Sequence, residues 1–210
     1  MTAADSDRAV GGSTGRRALL RLAASLGTRD PSVIRAAMEA ARDAADPGAV
    51  DEVLLQSHLF IGFPDALNAL ALWREVSGTP APPSAGEDQA AWDARGERVC
   101  GEVYGGNYGK LRINVRQLHP DVDGWMVTGG YGRVIGRPGL DLAMRELCIA
   151  AMLAVWNVPR QLHSHLRGSL NAGAAVAHVD EAVEAACGYL APDRAADVRA
   201  LWGEIRAKAG

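Results

Sequence analysis

The chain has 210 residues, of which 48% are hydrophobic and 22% are charged, with 22 basic and 25 acidic side chains and a formal net charge of −3. These proportions are typical of a soluble globular protein and exclude the collagen-like, disordered and disulfide-stapled classes. Because the balance is slightly acidic, the chain lacks the overall positive field that attracts nucleic acid or an anionic membrane. An anionic ligand would have to be held by a local cluster of cationic side chains.

The composition predicts an all-α fold. Alanine is the commonest residue, whereas phenylalanine and tyrosine are scarce, which favours helix over sheet. Residues 1–15 are predicted to be a disordered tail. Several later helices are predicted to begin at prolines, because proline has the backbone conformation of a first helical turn. These starts are Asp30-Pro31, Asp46-Pro47, His119-Pro120-Asp121, Val158-Pro159 and Ala191-Pro192.

A connector rich in proline and glycine divides the chain near residue 82. Its residues 78–90 are read as an exposed linker, since proline removes amide donors and glycine adds conformational freedom. The linker separates a degenerate N-terminal helical repeat, residues 16–77, from a main module, residues 91–210. We expect the two parts to form one compact unit.

The two parts share a sequence pattern that indicates an internal repeat. Arg17–Ala23 aligns with Arg145–Ala151 at an offset of 128 residues, and Leu72–Val76 aligns with Leu201–Ile205 at an offset of 129. Asp51-Glu52 matches Asp180-Glu181 between these anchors. Two pseudo-twofold-related copies, residues 16–77 and 143–206, are therefore predicted, with residues 85–140 as an inserted helical segment.

The cysteines indicate a reducing compartment. Cys100, Cys148 and Cys187 are odd in number and never form a C-x-x-C pair, which argues against a zinc or dithiol site. The sequence also has no apolar run of the length that spans a bilayer. A cytoplasmic location is expected.

Glu146 and His165 are the leading candidates for chemistry. Glu146 shares a helical face with apolar residues, and a helical hairpin would bring it to His165, a residue type that gains or loses a proton near neutral pH. The first copy has Ala18 and Ala37 at the aligned positions. The structural alternative is a buried histidine bonded to a backbone carbonyl, with the glutamate paired to an arginine.

A cationic rim is predicted around this pair. Arg133, Arg137 and Arg167 would converge near His165 and hold a small carboxylate by charge-assisted hydrogen bonds. His163 lies two residues from His165 and hence on a different helical face, which makes a shared metal ion improbable. The glycine-rich segment 129–139 follows no strand and precedes no Gly-Lys-Ser/Thr motif, so nucleotide binding is rejected.

Three motifs resemble the carboxymuconolactone decarboxylase family, which is related to the alkylhydroperoxidase AhpD. They are Tyr131-Gly-Arg-Val-Ile-Gly-Arg-Pro-Gly-Leu-Asp141, Arg145-Glu-Leu and Ser164-His-Leu-Arg-Gly-Ser-Leu-Asn-Ala-Gly173, and the likeness covers roughly residues 95–210. The resemblance implies an all-helical AhpD-like fold, no cofactor or metal, and a homo-oligomer. The family often assembles single-copy chains as hexamers, so a chain with two copies is expected to form an equivalent ring as a trimer.

The resemblance implies a lyase of aromatic catabolism that decarboxylates a small acidic lactone or enone. His165 would be the acid/base and Glu146 its partner, with Tyr131, His163 and the three arginines binding the substrate. The first alternative is an AhpD-like peroxidase, but the positions of its cysteine pair hold Val158 and Gln161. The second is a non-catalytic oligomeric ligand-binding protein.

Overall fold

The computed structural model describes residues 10–84 and 86–208, so the first nine residues of the predicted tail lie outside the described part. All regular elements of the described residues are helices, which confirms the predicted all-α class and is consistent with an AhpD-like fold. None of these helices has both the length and the apolar character that crossing a membrane requires.

The α-helices are α1 (Gly12–Leu26), α2 (Pro31–Ala44), α3 (Pro47–Ser77), α4 (Gln89–Tyr104), α5 (Tyr108–Leu118), α6 (Pro120–Trp125), α7 (Leu142–Trp156), α8 (Pro159–Asn171), α9 (Val176–Cys187) and α10 (Pro192–Arg206). A 3₁₀ turn, Gly105–Asn107, precedes α5, and a π-helix, Met126–Ile135, follows α6.

Proline and aspartate set many of the helix starts. Helices α2, α3, α6, α8 and α10 begin at the predicted prolines. The Asp30 carboxylate accepts hydrogen bonds from two amides of the first turn of α2, which satisfies donors that the helix itself cannot pair. The predicted tail extends too far, because α1 begins at Gly12 and Val10 is already buried.

The described chain divides into two compact units. The first joins the residues up to Pro82 with those from Gly139 onward, and the second is Pro83–Pro138. This division passes through the predicted 91–210 module. The first unit therefore contains α1–α3 and α7–α10, and the second contains α4–α6 and the π-helix.

Helix α7 is the centre of the first unit. Every residue from Met144 to Ala154 is buried, and α7 packs against α1, α3, α8 and α9. A helix that is apolar around most of its circumference is stable only when neighbours cover all of its faces. The two charged residues on α7, Arg145 and Glu146, are consequently held inside the core.

Two reciprocal ion pairs link the N-terminal and C-terminal halves of the first unit. Arg145 donates to Glu52 at 2.7 Å, and Arg16 donates to Glu181 at 2.9 Å. The arginines are 129 residues apart, as are the glutamates. The internal repeat stays a prediction. These contacts support an offset of 129 residues between α1 and α7, which aligns Arg16 rather than Arg17 with Arg145.

Close backbone approach holds the second unit together. A Cβ atom on Gly132 of the π-helix would lie 2.0 Å from the Trp92 carbonyl oxygen of α4, and one on Gly96 would lie 2.3 Å from the Val127 carbonyl oxygen. Only glycine permits this distance between the two helices. The predicted role of the glycine-rich segment in close helix packing thus has a structural basis at Gly132.

We expect Gly132→Ala to destabilise the second unit by at least about 2 kcal/mol, because the added methyl group overlaps a backbone oxygen that cannot rotate away. Gly129→Ala is the matched control on the same π-helix, where a Cβ meets nothing within 4 Å. It should be neutral or stabilising by up to about 1 kcal/mol. Thermal unfolding followed by near-ultraviolet circular dichroism would measure both, and equal effects would contradict the packing argument.

We expect Arg145→Met to lower the free energy of unfolding by about 3–5 kcal/mol, because it removes the guanidinium that donates to the Glu52 carboxylate at 2.7 Å in the core. Arg16→Met should cost less, since the Glu181 side chain is 28% exposed and regains water. Adding Glu52→Gln to Arg145→Met should recover part of the loss. Urea unfolding would compare the variants, and equal losses for the two arginines would argue against the burial argument.

Candidate functional site

Glu146 and His165 are brought together by a helical hairpin. Helix α7 ends at Asn157 in the left-handed conformation, with φ of 68°, and α8 begins two residues later at Pro159. This short connection makes the two helices pack side by side. The His165 Nδ1 atom lies 2.8 Å from Glu146 Oε2, a hydrogen bond between the two side chains.

The pair lies in the core of the first unit. The Glu146 side chain is fully buried, and the His165 side chain is 6% exposed. Oε1 of Glu146 has no hydrogen-bond partner within the described residues. A buried carboxylate oxygen without a donor is energetically costly, so Oε1 is an acceptor available to a proton, a water molecule or a polar group of a ligand.

The hydrogen bond to Glu146 determines which nitrogen of His165 is available for chemistry. When Nδ1 carries the proton and donates a hydrogen bond to the carboxylate, Nε2 keeps its lone pair and can accept a proton. In the described part of the chain, Nε2 makes no hydrogen bond. The arrangement is therefore a glutamate–histidine pair with one free acceptor on the imidazole.

Phe60 is a neighbour of His165 that sequence reasoning missed. Its ring meets the imidazole edge-on, with centroids 5.7 Å apart and planes at 88°, an arrangement that favours a fixed ring orientation. Phe60 precedes a kink in α3, where Gly62 has φ of 82° and Pro64 follows. A Gly-x-Pro sequence inside a helix is the signal that identifies such a kink.

Among the described residues, Glu146 does not have the arginine partner that the structural alternative expected. The adjacent arginine, Arg145, points to α3, where it pairs with Glu52 and also donates to the Leu140 carbonyl oxygen at 3.1 Å. His165 likewise bonds to a carboxylate rather than to a backbone carbonyl. Two adjacent charged residues on α7 thus have two separate partners.

His163 and Arg167 lie on the other face of α8. Successive residues rotate by about 100° around a helix, so positions two apart from His165 point away from it. Both side chains line a surface pocket of about 360 Å³ together with Leu170, Asn171, Ile205 and Lys208. The predicted convergence of Arg167 on His165 is therefore not found.

The remaining predicted binding residues belong to the second unit. The Arg133 guanidinium lies over the Trp92 ring, 4.9 Å from its centroid, and the buried Tyr131 donates its hydroxyl to the Tyr104 hydroxyl at 3.2 Å. The positive charge of Arg137 contributes to the lowered pKa of Glu87, of which Arg95 is the main cause. Their role in binding the substrate stays a prediction.

The three cysteines are buried, and at two of them burial disfavours the thiolate. Cys100 and Cys148 are fully buried and Cys187 is 7% exposed. Burial raises the pKa of the Cys148 thiol far above its ordinary value and also raises the pKa of Cys187. Since the thiolate is the reactive form, these residues lack the properties of peroxidatic cysteines.

Comparison with known proteins places the glutamate–histidine pair inside a recognised domain. No curated protein matches the chain. Residues 120–204 match the family model described as the carboxymuconolactone decarboxylase family, and this range includes Glu146, His165 and the pocket residues His163 and Arg167. Over residues 120–204, the chain is therefore similar to the carboxymuconolactone decarboxylase family.

Proposed function

We propose that the protein is a cofactor-independent lyase of the carboxymuconolactone decarboxylase type, acting on a small carboxylated lactone or enone. The observation that carries this proposal is the 2.8 Å hydrogen bond between Glu146 and His165, within the segment that matches the family. A carboxylate that orients a histidine is a recurrent arrangement for proton transfer in enzymes.

Decarboxylation breaks the bond between the carboxylate carbon and the carbon skeleton. The electron pair of that bond moves into the conjugated carbonyl of the lactone or enone, and carbon dioxide leaves. The resulting carbanion equivalent then takes a proton from the protonated Nε2 of His165, and the imidazole regains a proton from solvent. Glu146 holds the imidazole in one orientation and stabilises its cationic form.

We expect His165→Gln to lower the rate of decarboxylation by at least 100-fold, because general acid–base catalysis contributes about 10²–10⁴. Glu146→Gln should lower the rate less, since it keeps a hydrogen-bonding group but loses the charge that stabilises the imidazolium. The assay would follow carbon dioxide release from carboxymuconolactone. His178→Gln is the control, a half-buried histidine on α9 outside the pair.

Circular dichroism and urea unfolding would show that each variant is folded. An unchanged rate in folded His165→Gln would remove His165 from the mechanism. Absence of turnover by the native protein would instead favour the non-catalytic ligand-binding alternative. That alternative is supported by the near-complete burial of the pair, in which Glu146 is 0% and His165 5% exposed.

We expect the native protein to fail as a thiol peroxidase, because its three cysteines are buried. Hydrogen peroxide should consume no thiol on the timescale of seconds to minutes. A disulfide reagent such as DTNB should titrate three thiols in denaturant and react slowly with the native chain. Rapid, peroxide-dependent loss of one thiol in the native state would revive the AhpD-like peroxidase alternative.

A further inference from the structure

The surface pocket on the outer face of α8 has a chemistry distinct from that of the buried pair. Its lining contains His163, Arg167 and Lys208, the amide side chain of Asn171 and the apolar residues Leu170 and Ile205. We propose that this pocket binds a small organic carboxylate at a site separate from Glu146 and His165.

Uncompensated positive charge is the first argument. The described residues that line the pocket include Arg167 and Lys208 but no carboxylate, in a chain whose net charge is −3. Elsewhere in this unit, Arg16 and Arg145 each pair with a glutamate. Arg167 makes no ion pair with any described carboxylate, so its guanidinium is available for a bidentate bond to a ligand carboxylate.

The C-terminal end of α8 does not account for the charge of Arg167. A basic residue near a helix C-terminus often interacts with the last unpaired carbonyl groups. At the end of α8, however, the amides of Ala172, Gly173 and Ala174 already donate to the carbonyl groups of residues 168, 170 and 169. The charge of Arg167 is therefore not required to satisfy those oxygens.

The periodicity of α8 arranges the polar groups in one line. His163, Arg167 and Asn171 are spaced by four residues and so lie on one face, about one turn apart. Leu170 and Ile205 supply apolar surface beside this row. A volume of about 360 Å³ is within the usual range of small-molecule sites. These features fit a ligand with one carboxylate and one small ring or short chain.

The proposal does not depend on the decarboxylase activity. A ligand in this pocket would contact the face of α8 opposite His165, so binding and turnover can be measured separately. The experiment therefore uses a direct binding assay on the full chain, with benzoate as the probe and benzamide as its neutral analogue of nearly the same shape.

Isothermal titration calorimetry should detect benzoate binding to the native protein, and the affinity for benzamide should be at least about tenfold lower, because a charge-assisted hydrogen bond contributes about 1.5–3 kcal/mol. Arg167→Gln and Lys208→Gln should each weaken benzoate binding about tenfold. Arg160→Gln is the matched control, because Arg160 is an exposed arginine on the same helix outside the pocket. His165→Gln should bind benzoate like the native protein.

Several results would overturn the proposal. They are no detectable benzoate binding by the folded native protein, equal affinity of native and Arg167→Gln protein, and displacement of benzoate by inorganic phosphate at comparable concentration, which would indicate a general anion site. Loss of benzoate binding in His165→Gln would also count against a separate site. None of these results bears on whether His165→Gln decarboxylates its substrate.

Discussion

The burial of α7 from Met144 to Ala154 is the constraint on which the rest of the first unit depends. All eleven residues of this stretch are buried, so the surrounding helices must together cover every face of it. Within this helix, Arg145 and Glu146 are adjacent in the chain and point to different neighbours. The free-energy cost of burying a charge is acceptable only when the charge has a partner. The positions of α3 and α8 are thus tied to the two residues they must satisfy.

The two buried partnerships differ in how completely they are satisfied. The Arg145 guanidinium bonds to Glu52 and to the Leu140 carbonyl oxygen, an arrangement that serves stability. Glu146 uses one oxygen on His165 and leaves the other without a donor in the described residues. Incomplete satisfaction of a buried polar group is uncommon in structural pairs and more typical of sites that act on a ligand or a proton. This contrast between neighbouring residues is the physical reason for placing the chemistry at Glu146 rather than at Arg145.

Helix α8 has two faces with different roles. One face carries His165 into the core beside Glu146 and Phe60. The opposite face carries His163 and Arg167 to a cationic surface pocket. Residues that lie two apart in the sequence are therefore separated by the width of the helix. A single cluster of histidine and arginine in the sequence becomes two separate groups in the fold, one suited to proton transfer and the other to anion binding.

The sequence by itself determined the all-α class, the helix starts at proline and the candidate pair Glu146 and His165. These properties follow from local rules: helix propensity, capping and the position of residues along a helix. Only the tertiary structure decided the partner of each buried charge, the contact with Phe60, the two reciprocal ion pairs and the close packing at Gly132. Each of these depends on contacts between residues far apart in the chain, which a helical pattern does not specify. The two faces of α8 are an intermediate case. The sequence spacing alone puts His163 and His165 on different faces, but only the structure shows that His165 is the histidine that points into the core.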